Sequence, residues 1–185
     1  MIAKPLRAQS ARSAPRIRIG VLTDLSGTYR DICGPTGIAC ARQAVHEFTA
    51  AKDLDVEVLT ADFQEKPDVG AGIAHAWFDQ DGVDAILDLT NSAVALAVSG
   101  VAREKNKVAL VTGAATSVLT GAQCSPNTVH WSYDTWMLAH STATKTLEAG
   151  GKTWFLIAPD YAFGHSLAGD TARAVAAGGG KVLAA

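Results

Sequence analysis

The feature that most constrains the fold of this chain is a regular alternation between short apolar runs and longer segments with helical spacing. The first run, residues 16–24 (RIRIGVLTD), is rich in β-branched residues, as β-strands are. Apolar residues then recur at helical spacing, at Ile38, Ala41, Val45 and Phe48. The same two patterns follow in residues 55–63 (DVEVLTADF) and in a segment that opens with Pro67, a residue favoured in the first turn of helices. The expected buried stripe of this second helix is Val69, Ile73, Ala76 and Trp77.

Two further strands complete the pattern. Residues 84–89 (DAILDL) precede a helix-like run of Ala and Val, and a fourth strand starts at Val108. Strands joined by helices of this length run parallel, because a helical crossover returns the chain to the same end of the sheet. The sequence therefore predicts an α/β fold, with a Rossmann-like parallel sheet and helices on both of its faces.

The alternation stops at residues 113–134, a long segment rich in Gly, Thr, Ser and Pro with one short extended piece at Thr128. Connections of this length are uncommon inside a compact domain. The pattern resumes as helix, strand, helix and strand at about residues 135–149, 153–158, 165–177 and 181–184. Because two strands leave a sheet edge open, residues 135–185 are predicted to be the first, truncated part of a second α/β lobe.

Composition narrows the class of protein. Of the 185 residues, 48% are apolar and 18% are charged, as in folded chains, and no apolar run approaches the ~18 residues that a membrane span needs. The net charge is −2, and the sequence has no basic stripe with interleaved aromatic residues. Nucleic acid is therefore not expected as a partner. Residues 1–16 (MIAKPLRAQSARSAPR) lack an apolar block, so they are predicted to be a disordered or processed leader, with any signal peptide removed or upstream.

The sequence predicts neither a metal nor a cofactor. The three cysteines, Cys33, Cys40 and Cys124, form no C-x-x-C motif, and the five histidines form no H-E-x-x-H motif. Cys33 and Cys124 are the one pair considered for a disulfide, and small buried thiols are the preferred interpretation. The chain has no G-x-G-x-x-G, G-x-x-x-x-G-K-[ST] or G-x-S-x-G motif, which argues against a dehydrogenase, an NTPase and a hydrolase.

Candidate ligand-binding residues lie at the carboxyl ends of the predicted strands, where open parallel sheets bind ligands. Asn91 and Ser92 follow the third strand, and Ala114, Ala115 and Thr116 follow the fourth. Helix N-termini carry free N–H groups, so this neutral donor cluster suits a carboxylate. Ser92 equally suits an ordinary helix N-cap, and the two roles are compatible.

Other candidate residues lie on two loops. Tyr29 follows the first strand, and Tyr161 and Phe163 follow the first strand of the second lobe. Their rings suit either the wall of an apolar ligand or the packing of a loop onto the sheet. Asp160 suits either a cationic group or a turn. His165, next to this loop, is the histidine for which a purely structural role is least secure.

Six segments of the chain carry a family resemblance: IRIGVLTDLSGTYRDICGP, ADFQEKPDVGAGIA, DLTNSAVALAV, TGAATSVLTG, SPNTVHW and PDYAFG. Together, and in this order, they resemble the type I periplasmic solute-binding proteins of ABC importers. Within these, the similarity is to the branched-chain amino acid binding family and its relatives that bind aromatic acids. The resemblance covers about residues 16–185.

The resemblance implies two α/β lobes joined by hinge crossings, with a ligand enclosed between them. It divides the chain into an incomplete first lobe at residues 17–131, a hinge crossing at 132–134 and the start of a second lobe at 135–185. It implies ligand contacts by Ser92 with Asn91, by Ala114, Ala115 and Thr116, and by Tyr29 and Phe163. Phe163 stands where many amino-acid binders of the family have Tyr.

The implied function is an extracytoplasmic solute-binding protein that delivers a small carboxylate to an ABC transporter permease and meets the membrane only through that permease. The carboxylate is a branched-chain or other hydrophobic amino acid, or an aromatic acid. The alternative is a ligand-sensing domain of a receptor or regulator with the same fold. An α/β enzyme that uses Ser92 or His165 is disfavoured, because the sequence identifies no base beside Ser92.

Overall fold

The computed structural model describes residues 16–50, 52 and 54–185, and its elements follow the predicted alternation. The strands in this part of the chain are β1 Arg16–Thr23, β2 Asp55–Asp62, β3 Ala85–Asp88, β4 Val108–Val111, β5 Thr128–His130, β6 Thr153–Phe155 and β7 Lys181–Ala184. The α-helices are α1 Gly34–Thr49, α2 Pro67–Asp79, α3 Ser92–Glu104, α4 Thr135–Glu148 and α5 Ala162–Ala177, and Ser117–Leu119 form a 3-10 turn. The predicted leader lies outside the described residues except for Arg16, which begins β1.

The larger of two sheets is parallel throughout and has the strand order β2-β1-β3-β4-β5. This confirms the predicted parallel sheet. It also adds β5, which the sequence shows only as a short extended piece and which pairs with β4. Strand β2 lies on one side of β1, and β3 lies on the other side. The strand order therefore reverses at β1, and open parallel sheets bind ligands in the crevice at such a point, here between the carboxyl ends of β1 and β3.

The core of the large sheet lies on the face covered by α2 and α3. Its buried residues include Leu22, Phe63, Ala74, Trp77, Phe78, Ile86, Val94, Val98, Val101 and Val111. The Trp77 ring packs against Gly20, where an added Cβ would lie 2.4 Å from the indole. The residues of α2 that are buried against the sheet are Gly70, Ala74, Trp77 and Phe78. The predicted stripe is right at Trp77, whereas Val69, Ile73 and Ala76 are half-buried beside it.

The opposite face of the sheet is covered by α1 more loosely. Ile38, Ala41 and Val45 are half-buried there as a helical stripe, but Phe48 is 60% exposed. A cavity of about 450 Å³ separates α1 from the strands and is lined mainly by apolar side chains such as Ile19. Helices thus lie on both faces, as predicted, with one face much better packed than the other.

The smaller sheet consists of the parallel strands β6 and β7, and α4 packs against α5 beside it. Strand β6 covers Thr153–Phe155 and is shorter than the predicted 153–158, because β7 offers only Lys181–Ala184 as a pairing partner. The division of the chain into lobes at residues 132–134 stays a prediction.

The three cysteines are free: Cys33 is half-buried, whereas Cys40 and Cys124 are exposed. The expectation of buried thiols is therefore wrong for two of the three, since Cys40 lies on the poorly covered helix α1 and Cys124 lies in a loop. Within the described ranges, each helix is too short or too polar to cross a membrane.

Candidate ligand-binding site

A small cavity of about 90 Å³ lies at the carboxyl ends of β3 and β4, between the two sheets. Its lining residues are Tyr29, Thr90, Ser92, Gly113, Ala115, Tyr133, Tyr161 and Phe163. Five of the predicted residues therefore meet at one place. Sequence reasoning did not single out Thr90, Gly113 and Tyr133, although all three belong to the strand-end and hinge segments that it identified.

The end of β3 makes a sharp turn toward this cavity. Asp88 and Leu89 have φ angles of 84° and 58°, the left-handed region that most side chains avoid. The carbonyl of Asp88 accepts the N–H of Gly113 at 3.2 Å, which ties the ends of β3 and β4 together. A Cβ on Gly113 would lie 2.8 Å from Cα of Thr90, so glycine permits this close approach. The turn places Thr90 and Gly113 side by side.

Helix α3 begins at the cavity, and two residues divide the roles that the sequence assigned to Ser92. Asn91 is the N-cap, because its Oδ1 accepts the N–H groups of Ala93 at 2.8 Å and Val94 at 3.2 Å. Ser92 is the first helical residue, is 1% exposed and lines the cavity. The expected capping role of Ser92 is therefore wrong, and its hydroxyl is free of that role.

Asn91 itself does not line the cavity. Its Nδ2 donates to Oε2 of Glu65 at 2.6 Å, so the side chain is held between the helix start and the segment after β2. The contact of Asn91 with a ligand stays a prediction, and in this structure the side chain fixes the start of the helix that carries Ser92.

The residues after β4 take different roles. Ala115 lines the cavity, and its carbonyl accepts the N–H of Thr135 at 2.8 Å. The carbonyl of Ala114 accepts the Nε2–H of His130 at 2.7 Å. Thr116 lies outside the cavity lining: its Oγ1 accepts the N–H of Val118 and lies 2.6 Å from Oγ of Ser166 on α5. Thr116 thus connects the large sheet to the helices of the small one.

Aromatic rings close the other side of the cavity. The hydroxyls of Tyr29 and Tyr161 hydrogen-bond to each other, and the Tyr161 and Phe163 rings are tilted with centroids 6.1 Å apart. Burial, together with the hydrogen bond to Tyr29, raises the pKa of Tyr161, so its phenol is neutral. Asp160 lies outside the cavity lining, where its exposed carboxylate pairs with His165 at 2.8 Å.

A second set of polar contacts joins the two sheets next to the cavity. Asp170 on α5 is 2% exposed, and its Oδ2 accepts the hydroxyls of Thr135 at 2.6 Å and Ser117 at 2.9 Å. Its Oδ1 pairs with Arg173. These contacts set the position of α5, and therefore of Tyr161 and Phe163, relative to the ends of β3 and β4.

The cavity is lined by both hydroxyl groups and apolar surface, and none of its lining side chains is charged at neutral pH. The hydroxyl of Thr90 donates to Oδ1 of Asp88 at 3.1 Å, whereas the Ser92 hydroxyl, at the start of α3, can donate into the cavity. Among the described residues, no group of His, Cys, Asp and Glu side chains could hold a metal ion. The larger cavity under α1 is lined mainly by apolar side chains and includes the Asp88 carboxylate. The smaller one lies at a helix N-terminus and holds five of the predicted residues, so it is the better candidate site.

Residues 16–185 match the family model described as periplasmic binding protein, and the chain belongs to this family. The parallel sheet and the cavity at its carboxyl edge agree with that assignment. None of the functionally curated proteins is similar enough to the chain to count as a match.

Solved structures of periplasmic binding proteins are similar to the chain over most of its length. One from Burkholderia mallei is 43% identical with a TM-score of 0.88, over 94% of this chain and 46% of that protein. A branched-chain amino acid ABC transporter periplasmic ligand-binding protein from Burkholderia xenovorans is 37% identical with a TM-score of 0.76, over 91% of this chain and 45% of that protein. A solute-binding protein of an ABC transporter from R. palustris, solved with benzoate, shares the fold at 22% identity and a TM-score of 0.81, over 92% and 47% of the two chains. The chain spans about half the length of these relatives.

Proposed function

We propose that this chain is part of an extracytoplasmic solute-binding protein that delivers a small carboxylate to the permease of an ABC transporter. The carboxylate is a branched-chain or other hydrophobic amino acid, or an aromatic acid. The observation that carries the proposal is the cavity, where a helix N-terminus and the Ser92 hydroxyl face a set of aromatic rings. The family and the relatives named for branched-chain amino acids and benzoate support it.

The two sides of the cavity suit the two parts of such a ligand. The first turn of α3 presents its positive dipole end, and the Ser92 hydroxyl adds a neutral donor, which together stabilise a carboxylate without a cation. The rings of Tyr29, Tyr161 and Phe163 offer an apolar surface for the remainder of the ligand.

Ligand entry requires the two sheets to separate. The cavity of about 90 Å³ is smaller than the ~300 Å³ at the lower end of small-molecule sites. Tyr29 and Tyr161 lie on opposite sides and bond to each other, so this structure is a closed arrangement. We propose that opening breaks this bond and that the ligand stabilises the closed state by its own contacts to both sides.

Binding fits the geometry better than catalysis. His165 pairs with exposed Asp160, and His130 bonds to the Ala114 carbonyl, so neither imidazole is positioned to take a proton from Ser92. A serine nucleophile needs an adjacent base.

Isothermal titration calorimetry of the whole protein with benzoate, 4-hydroxybenzoate and leucine tests the proposal. Ser92→Ala should weaken binding of the acid that binds by ~1–3 kcal/mol, because it removes a donor to a charged group in a desolvated site. The matched control is Ser99→Ala, on the same helix, since Ser99 is 3% exposed and bonds to Thr128 away from the cavity. We expect Ser99→Ala to leave affinity unchanged.

Two results would contradict the proposal. If none of the three acids binds to the wild-type protein, the assigned ligand class is wrong. If an acid binds and Ser92→Ala and Ser99→Ala behave alike, the ligand carboxylate is not at the start of α3.

A further inference from the structure

Three carboxylates lie behind the cavity, at the carboxyl ends of β1 and β2. Asp24 accepts the backbone N–H groups of Gly27 at 2.6 Å and Tyr29 at 2.7 Å, so the loop that carries Tyr29 folds around it. Asp62 accepts the N–H groups of Leu25 and Gln64 in the same way.

Both of these aspartates are stabilised as anions. Burial opposes the ionisation of Asp24, but hydrogen bonds from Glu65 and from three backbone N–H groups outweigh burial and lower its pKa. Burial likewise opposes ionisation of Asp62, and hydrogen bonds from Ser26, Gln64 and Leu25 lower its pKa.

Glu65 is the third carboxylate, and its position is set by an unusual backbone. Gln64 and Glu65 have φ angles of 54° and 56°, which turn the Glu65 side chain toward the loop before α1. A Cβ added to Gly27 would lie 2.6 Å from Cγ of Glu65 and 2.9 Å from Oδ2 of Asp24. The loop therefore packs directly on the pair formed by Glu65 and Asp24.

The two oxygens of Glu65 have different partners. Oε2 accepts the Nδ2–H of Asn91 at 2.6 Å, and Oε1 is buried without a donor. The Asp24 carboxylate lies beside Glu65, since both side chains surround the Cβ position of Gly27, and Asp24 is itself held as an acceptor by backbone N–H groups. Two ionised carboxylates would repel each other here, whereas a proton on Oε1 of Glu65 turns this unpaired atom into a donor that Asp24 can accept.

Four groups face Glu65: the two carboxylates favour its proton, the Asn91 amide opposes it, and the Tyr161 phenol is neutral. They are Asp24 and Asp62 from the ends of β1 and β2, Tyr161 from the start of α5 and the neutral amide of Asn91 from α3. Burial and the contact with Asp24 raise the pKa of Glu65 from its usual 4.5 to about 7, and the Asn91 hydrogen bond opposes this only in part.

We infer that Glu65 is a positioning residue of the ligand site, which in its protonated form joins the loop of Tyr29 to the cap of the helix that starts with Ser92. Through Asp24 it fixes Tyr29, and through Asn91 it fixes Ser92, so the two sides of the cavity keep their spacing. This inference rests on the proposed function. It adds that binding weakens as Glu65 loses its proton.

The direction of the pH effect follows from linkage. The folded state holds the Glu65 proton more tightly than the unfolded chain does, so the stability that this group contributes falls as pH rises from 4.5 to about 7 and is level above that. If only the protonated form holds the site well, affinity falls about tenfold between pH 6 and pH 8, the ratio of protonated fractions for a pKa of about 7.

Two substitutions separate the proton from the side chain. Glu65→Gln keeps an N–H donor for Asp24 and an acceptor for Asn91 but cannot titrate, so its affinity should match that of the wild type at pH 6 and stay constant to pH 8. Glu65→Ala should bind weakly at both pH values. Glu47→Gln, at an exposed position on α1, is the matched control and should follow the wild-type profile.

The readouts are calorimetric affinity for benzoate, which stays ionised over this range, and the unfolding temperature of the ligand-free protein at pH 6 and pH 8. We expect the ligand-free wild type to lose stability relative to Glu65→Gln as pH rises. Equal pH profiles of wild type and Glu65→Gln in either readout would overturn the inference. If benzoate, 4-hydroxybenzoate and leucine all fail to bind at any pH while the unfolding profiles still diverge, the positioning network stands and the proposed ligand class falls.

Discussion

The two sheets of the molecule differ in how they are stabilised. The large sheet buries Leu22, Phe63 and Ile86 completely in one continuous core. The small sheet has a minor core of Ala143, Leu147, Ala174 and Val175. It leaves Phe155, Ile157 and Leu183 at least 62% exposed. Because hydrophobic stabilisation scales with the apolar area buried, the core of the large sheet contributes more stability than that of the small sheet within the described residues.

This difference matches the division of the site. The polar end of the cavity, at Ser92 and Ala115, belongs to the well-packed sheet, whereas Tyr161 and Phe163 belong to the helix of the weakly packed one. A site for a carboxylate needs fixed donors, and a cleft that opens needs one side that moves. We therefore expect the side of the cavity that carries Ser92 to be rigid and the side that carries Tyr161 and Phe163 to move.

The largest effect is expected from matched leucine substitutions in the two cores. Leu22→Ala, at a site with no exposure, should lower the free energy of unfolding by ~3–5 kcal/mol, because it leaves a cavity in a dense core. Leu147→Ala should cost about 2 kcal/mol, since small neighbours can close around the gap. Urea unfolding measures both, and hydrogen exchange should confine the Leu147→Ala effect to α4, α5, β6 and β7. Equally faster exchange throughout β1–β4 would show that the two cores are not separable.

An intermediate effect is expected where the small unit is attached to the large one. Asp170→Ala removes the acceptor for the Thr135 and Ser117 hydroxyls and should cost about 1–3 kcal/mol, because buried donors lose their partner. Asp160→Ala, at a fully exposed carboxylate near the start of the same helix, should leave unfolding unchanged. Urea unfolding of the two variants side by side checks this, and equal effects would rule out an anchoring role for Asp170.

The smallest effect is expected at the contact that closes the cleft. Tyr29→Phe and Tyr161→Phe each remove the hydroxyl contact between the two sides, and a double-mutant cycle should give a coupling of about 0.5–1.5 kcal/mol in the ligand-free protein. Additive effects of the two changes would mean that the hydroxyls do not interact in solution.

Much of the fold could be predicted from the sequence, because its strands and helices depend on short-range patterns of apolar residues. Apolar alternation and the proline at the start of α2 located the first four strands and the first three helices. Strand β5 was visible only as a short extended piece, because its pairing with β4 is a long-range contact. The predicted length of β6 was wrong for the same reason, because its pairing with β7 is also a long-range contact and limits the strand.

The candidate site shows the same limit. Strand ends and small polar residues located Ser92 and Ala115, and the loops supplied Tyr29, Tyr161 and Phe163. The sequence could not show that Asn91 takes the cap, that Thr116 bonds to Ser166 or that Asp160 faces outward. Each of these depends on which neighbour the fold brings within hydrogen-bond distance.

By itself, the sequence determined the α/β class, the parallel direction of the strands and the edge of the sheet where the candidate site lies. These follow from periodicity and from the geometry of helical crossovers, which act over a few residues at a time. Only the tertiary structure brought Glu65, Asp24 and Asn91 into one network and gave Glu65 a pKa of about 7. Burial and the distance between charges decide that value, and both depend on packing between segments far apart in the chain.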